Sequence, residues 1–277
     1  GIDVSKWQPK VDWQKVKADG IDFAIIRIGY CYNNGALKLD SAFTQHIKGA
    51  LAAGLDVGIY LYSYATTVQA ARRAAQEVIK AIKPYKLTYP IAFDIEYESI
   101  YTGGSKQTNT EICKAFLEEV EQAGYYAMLY CSKDFLDSYL YPAQLTAYDK
   151  WIAQYAGKCT CKHPYGIWQY TGSGRVGGIS GNVDRDIAYK DYPAIIAKMN
   201  HPQADKNLLY TVQVGAFASA KSAADLYAKL SDMGYFVFFK NDALTKVCVG
   251  KFATQEEAQK TADDLKKKGF GGFVTIL

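Results

Sequence analysis

The chain has 277 residues, of which 49% are hydrophobic and 22% charged, and a net charge of +4. This is a globular composition that excludes a disordered or fibrous chain. No dense Lys/Arg stripe with interleaved aromatics occurs, and no apolar run reaches the roughly 18 residues of a membrane span, so neither nucleic acid nor membrane insertion is expected.

The length exceeds the roughly 100–200 residues of an average domain and suits a barrel with one small appended module. Short runs rich in Ile, Val, Tyr and Phe predict strands at 2–4, 23–30, 57–65, 89–97, 125–132, 150–155, 165–171 and 181–189. Apolar residues at helical spacing lie between several of them: Phe43, Ile47, Ala50 and Leu51, then Ala71, Ala74, Ala75 and Val78, then Ile112, Ala115, Phe116 and Val120. Thr108 or Asn109 reads as a helix start, and Gly54 and Gly124 as helix stops. Strands alternating with helices imply an α/β chain built as a parallel (β/α) barrel. "TGSGRVGGISGN" leaves no room for a helix before the last strand, so the barrel is expected to be irregular, spanning 1–198.

A polar segment holding Pro202 reads as a linker over 199–207. Beyond it the sequence repeats every 35 residues: Val212 with Val247, Gly215 with Gly250, Ala223 with Ala258, Leu230 with Leu265, Gly234 with Gly269. Each half reads strand, helix, strand. Residues 208–277 therefore form a small α+β module of βαββαβ order. Its sheet has two open edges and "YFVFF" is strongly apolar, so a homodimer through this module is a possible partner arrangement.

The six cysteines are expected as free thiols, because a chain this long stabilises itself by core burial. Cys159, Cys161 and His163 cluster in "CTCKH", but the second ligand pair of a zinc site is missing, so a plain loop is expected there and no metal.

The chemistry concentrates in "YPIAFDIEY". Alternation along a strand puts Ile91, Phe93 and Ile95 on one face and Ala92, Asp94 and Glu96 on the other. Two adjacent carboxylates at the C-terminal end of a barrel strand raise each other's pKa, which suits one of them to act as an acid. Asp3 in the first strand and Asp184 in the last become neighbours if the barrel closes. Tyr60 and Tyr62 alternate along one strand, and with Tyr130 and Trp151 they are candidates to line a sugar cleft. Arg27 interrupts an apolar strand and reads as a buried ion pair or a ligand contact. Gly172, Gly174 and Gly177 match G-x-G-x-x-G, but no helix follows to receive a dinucleotide phosphate; a mobile loop over a cleft is the expectation. No cofactor is expected.

"GIDVSKWQ", "FAIIRIGY", "YPIAFDIEY", "MLYCS", "KWIAQY", "GIWQYT" and "GNVDRD" together resemble glycoside hydrolase family 25, the lysozymes or N-acetylmuramidases of bacteria and phages. The resemblance runs to about residue 192. It implies cleavage of the β-1,4 bond between N-acetylmuramic acid and N-acetylglucosamine with retention, Glu96 as general acid, and Asp94, Asp3 and Asp184 as supporting acids. Tyr60-Leu61-Tyr62 departs from the Tyr-His-Phe found in many members. "YTVQVGAFAS" and "CVGKFAT" resemble a SPOR-type module, which implies binding to bacterial peptidoglycan glycan strands. The combination resembles a phage endolysin. That implies synthesis in the host bacterial cytoplasm and action on the cell wall, although a start at Gly1 rather than Met leaves a removed signal open. The rival readings are another barrel glycosidase such as a chitinase, separable by substrate, and a catalytically inactive wall-binding protein.

Overall fold

The computed structural model describes every residue except 101–103, 200–208, 242 and 253. The chain divides into two compact units, Gly1–His201 and Pro202–Leu277. All of the linker expected at 199–207 except Met199 lies outside the described residues.

The first unit runs β1 (Ile2–Val4), α1 (Trp13–Ala18), β2 (Phe23–Cys31), β3 (Leu37–Leu39), α2 (Phe43–Ala52), β4 (Asp56–Ser63), α3 (Val68–Ile82) and β5 (Ile91–Asp94). It continues with α4 (Lys106–Gln122), β6 (Ala127–Ser132), α5 (Lys133–Tyr139), β7 (Asp149–Ala153), β8 (Ile167–Gly174), β9 (Val183–Ala188) and α6 (Tyr192–Met199). The sheet order is β1-β9-β8-β7-β6-β5-β4-β2-β3, and a further β1–β2 pairing closes eight of these strands into a barrel. β3 pairs only with β2 and lies outside the closed ring.

Within the closed ring, neighbours from β1 round to β8 by way of β2 and β4 pair in parallel, whereas β9 is antiparallel to both β8 and β1, as the outlying β3 is to β2. The all-parallel expectation fails at that strand for a reason of length. A parallel crossover takes a dozen or more residues, and the stretch from Arg175 to Asn182 is too short for one. The chain turns back instead, so β9 enters the barrel from the mouth. Its connecting loop is not a free flap over a cleft. Val176 is buried, Gly178 O accepts from Asp12 N at 2.9 Å, and Gly177 N donates to Asp19 Oδ2 at 2.8 Å.

Ile2, Val4, Ile26, Ile59, Phe93, Leu129 and Ile152 point out from the sheet and pack against the helices. The interior is apolar at one end only. Phe23, Ile25, Ala92, Met128 and Ile167 fill it, with Tyr192 and Ile196 of α6 against them. The C-terminal ends of the parallel strands are left to polar side chains, which makes them the mouth. α4 begins at Lys106 with Ser105 Oγ accepting from Thr108 N, two or three residues earlier than the expected start, because Ser105 provides the cap.

The second unit runs β10 (Tyr210–Phe217), α7 (Ala220–Asp232), β11 (Val237–Asn241), β12 (Thr245–Phe252), α8 (Gln255–Lys267) and β13 (Phe273–Ile276). This is the expected βαββαβ order in an antiparallel sheet, β11-β12-β10-β13, whose edges are β11 and β13. The repeat positions Ala223 and Ala258, Leu230 and Leu265, and Val212 and Val247 are all buried in its core.

Candidate active site

Asp94 is the last residue of β5, and Glu96 follows just beyond the strand. The extended alternation persists across that end. Ile95 is buried outward while both carboxyls line a cavity of ≈ 220 Å³ at the barrel mouth. Asp3, Arg27, Tyr60, Tyr62, Tyr130, Trp151 and Asp184 line the same cavity, so the nine residues singled out from the sequence converge on one place. A second cavity of ≈ 460 Å³ adjoins through Glu96, Tyr130 and Tyr155, which line both.

The carboxyls are crowded and poorly solvated. Burial, then the charge of Glu96, raises Asp94 well above the usual carboxylate range, against the opposing pull of Arg27. Burial, then the charge of Glu98, raises Glu96. Their partnership raises Asp94 and pulls against the rise of Glu96, which favours a single proton on the pair. Asp94 Oδ1 is buried with no hydrogen-bond partner among the described residues.

Closure of the barrel supplies the third and fourth acids. Asp3 and Asp184 are register partners across the β1–β9 pair. Burial raises Asp3, reinforced by Asp186 and Asp184, and Gln169 opposes this by donating to Asp3 Oδ2 at 2.7 Å. Burial also raises Asp184.

Arg27 is held by Asp40, with Nε at 2.7 Å and a terminal nitrogen at 2.6 Å from Oδ2. Asp40 also accepts from Lys6 N and Ala42 N, so one carboxylate ties β2 to the tail of β1 and to α2. The ion pair fixes the guanidinium beside Asp94. Tyr62 donates its hydroxyl to Glu98 at 2.7 Å, and Trp151 packs edge-on against Tyr60 and Tyr130 at 5.9 and 4.5 Å.

Several residues escaped the sequence reading. Asp186 is buried and accepts from Trp151 Nε1 at 2.8 Å. Its signal was present, since it lies two residues from Asp184 on the same strand face. Gln169 gathers three side chains: besides its bond to Asp3, its Oε1 accepts from Tyr130 and Tyr155 hydroxyls at 2.9 and 3.0 Å. Trp7, 73% exposed, lines the cavity as a flat apolar face at the rim. Trp7, Tyr155 and Gln169 lie within "GIDVSKWQ", "KWIAQY" and "GIWQYT", but nothing local gives them a role. The glycine-rich run serves the β8–β9 hairpin: a Cβ on Gly172 would sit 3.0 Å from Asp184 Oδ1 and 3.2 Å from Tyr155 Oη. Cys159, Cys161 and His163 lie outside the cavity; His163 pairs with Asp137 at 3.3 Å. All six cysteines are free thiols.

Residues 2–179 match the model of glycosyl hydrolases family 25, and residues 209–276 match the SPOR domain. The chain is 28% identical over 187 residues to the autolytic lysozyme of Clostridium acetobutylicum, covering 67% of this chain and 54% of that protein. The modular autolysin LytC of Streptococcus pneumoniae, solved also with a synthetic peptidoglycan ligand, superposes with a TM-score of 0.60 at 31% identity over 68% of this chain and 46% of its own. The catalytic domain of an endolysin from a Listeria monocytogenes bacteriophage superposes at 0.59 and 27% identity, over 70% of this chain and 95% of its own. The chain thus spans about half the length of the autolytic lysozyme and of LytC. With the closed barrel, its antiparallel last strand and the carboxyls gathered at its mouth, the family match establishes that this chain belongs to glycosyl hydrolases family 25.

Proposed function

We propose that the chain hydrolyses peptidoglycan by cleaving the β-1,4 bond between N-acetylmuramic acid and N-acetylglucosamine, with retention of configuration. The observation that carries the reading is the Asp94–Glu96 pair, in contact and raised, at the mouth of a barrel of this family. Two carboxyls in contact resist ionising together, so the pair keeps a proton at a pH where an isolated carboxyl has lost it. Glu96, nearer solvent, delivers that proton to the leaving glycosidic oxygen as the C1–O bond breaks. Both carboxylates then stand ionised against an oxocarbenium-like centre, where their charge is stabilising.

An inverting enzyme keeps its carboxyls about 6.5–9.5 Å apart to admit water between them. Asp94 and Glu96 lie two residues apart on one face and act directly on each other's proton affinity, a closeness that supports retention. Both carboxyls stand on one side of the cleft, whereas a nucleophile must reach C1 from the face opposite the leaving group. This favours the acetamido oxygen of the substrate as nucleophile, with the unpartnered Asp94 Oδ1 taking the acetamido N–H. The oxygen bonds to C1 as the leaving group departs. Water then opens that ring, giving a proton back to Glu96. Tyr62 supplies a wall for the sugar rings, with the buried Tyr130 and Trp151 backing the cleft, and Asp3 and Asp184 hold the field and the polar contacts. The SPOR module supports a second role, holding the barrel on wall glycan strands as an endolysin-type tether.

Purified walls are the substrate for the test. Glu96→Gln is expected to cut lysis by about 10²–10⁴-fold with the fold intact. Products should carry reducing muramic acid, and chitin oligomers should not replace walls as substrate. Reducing N-acetylglucosamine ends would replace this reading with a glucosaminidase. A thiazoline mimic of the cyclised acetamido group should inhibit competitively; no inhibition, with trapping of a glycosyl ester on Asp94, would make Asp94 the nucleophile.

A further inference from the structure

A polar cavity lies on the same side of the barrel as the catalytic mouth, beyond the C-terminal ends of β2 and β4. It measures ≈ 690 Å³. The turn after β2, the segment after β4 and the first turns of α3 enclose it, and Asn33, Asn34, Thr66, Gln69 and Arg73 are among its lining residues. Its walls are set by the fold. Gly35 has φ +82, and a Cβ there would run into Ala70 O, so glycine lets the turn press against α3. Asn34 Oδ1 accepts from Ala36 N at 3.0 Å. Arg72 is already engaged by Glu118 and Glu119 at 2.9 and 3.0 Å. With Arg72 so engaged, the cavity's available positive charge is that of Arg73, which is exposed and makes no ion pair among the described residues.

An aromatic track joins this cavity to the catalytic one. Tyr62 lines the catalytic cavity, and its ring lies 5.1 Å from Tyr64. Tyr64 lies 5.9 Å from Tyr30, and Tyr30 5.3 Å from Tyr32, which directly precedes Asn33. Tyr32 and Tyr64 are 46% and 40% exposed. Flat rings with hydroxyl edges suit sugar faces, whereas carboxamides and a guanidinium suit peptide amides and carboxylates.

We infer that the cavity lined by Asn33, Asn34, Gln69 and Arg73 binds the carboxylate-bearing peptide substituent of the glycan, with Arg73 as its anion contact and the tyrosine track carrying the sugars between the two sites. The inference rests on the muramidase reading and deepens it. In peptidoglycan the peptide hangs from the lactyl group of muramic acid, off the glycan axis. At the far end of the tyrosine track, this cavity is therefore where the peptide of a muramic acid further along the strand would be met. Asn33, Asn34 and Gln69 offer both donors and acceptors to peptide bonds, and on a strand stripped of peptide the one remaining carboxylate is that of the lactyl group, held close to the sugar ring and away from this cavity.

The test compares peptide-bearing walls with glycan strands stripped of peptide by an amidase, using the full chain. Arg73→Gln and Arg73→Glu change an exposed side chain outside the catalytic cavity. On peptide-bearing substrate KM is expected to rise roughly tenfold for Arg73→Glu and less for Arg73→Gln. On stripped strands both variants should stay within about twofold of the parent chain. Titration of a soluble muramyl peptide should show the same order of weakening. Equal effects on both polymers, or none on either, would overturn the assignment. Inactivity of the unmutated chain on both polymers would sink the muramidase reading, and this inference with it.

Discussion

Asp3 of β1 and Asp184 of β9 stand opposite each other in the antiparallel pair that closes the barrel. Residues 181 positions apart thus meet at the mouth because a strand too short of connecting chain had to enter in reverse. With Asp186 beside them and Asp94 among the charges acting on Asp3, the closure builds an acidic floor under the Asp94–Glu96 pair. Such a floor costs stability unless its members are protonated or hydrogen-bonded, and each of the following expectations probes that cost or its use.

Burial pushes Asp186 up to about 7. A carboxyl raised in the fold binds more protons there than in the unfolded chain, so the fold loses stability as pH rises from about 4 toward that value. Asp186→Asn keeps an oxygen for Trp151 Nε1 and removes the charge. Its melting temperature should exceed the parent's at pH 7 by roughly 2–4 °C, about 1 kcal/mol, and the two should converge near pH 4. A gap that is constant with pH would contradict this.

Gln169 satisfies Asp3, Tyr130 and Tyr155 at once. Gln169→Leu has similar bulk and leaves all three without that partner. Denaturant unfolding should show a loss of about 1–3 kcal/mol, with lowered wall lysis. Unchanged stability would mean that water replaces the glutamine freely.

Glu96 is raised first by burial and next by the charge of Glu98. Glu98→Gln removes the second contribution, so Glu96 should lose its proton at lower pH. The alkaline limb of the rate profile on walls should move toward acid, while the rate well below that limb changes little. A limb that stays in place would separate Glu98 from the proton balance of the site.

Asp94→Asn and Asp184→Asn should both reduce lysis, and Asp94→Asn more. Asp94 touches Glu96, whereas Asp184 acts on it only through the field. Comparable kcat values for the two variants, each near the parent's, would remove both from the chemistry.

The fragment 207–277 carries its own core, built around Val212, Leu230, Val249 and Leu265. It should sediment with purified walls by itself. The fragment 1–200 should lyse whole walls more slowly than the full chain but cleave soluble fragments at a similar rate, because a tether raises local concentration only at an insoluble polymer. Full-rate lysis by the barrel fragment, with no sedimentation of the module, would leave the tether unsupported.

Much of this protein was written locally. Alternation in "YPIAFDIEY" places Asp94 and Glu96 on one side whatever the rest of the chain does, since a pleated strand has a period of two. The 35-residue repeat carries the module's order in the same way, through Ala223 and Ala258 or Leu230 and Leu265. Helix stops at Gly54 and Gly124 follow from glycine's freedom at positive φ. What pattern could not decide was pairing. β3 escaped notice because a three-residue strand with one hairpin partner has no periodicity to read. The reversal of β9 came from a connection length, and the meeting of Gln169 with Asp3, or Trp151 with Asp186, from closure of the ring. Those contacts join residues far apart in the chain, and only the register of paired strands sets which side chains share the interior. The sequence by itself determined which residues face inward; the tertiary structure decided which of them touch, and so where the protons lie.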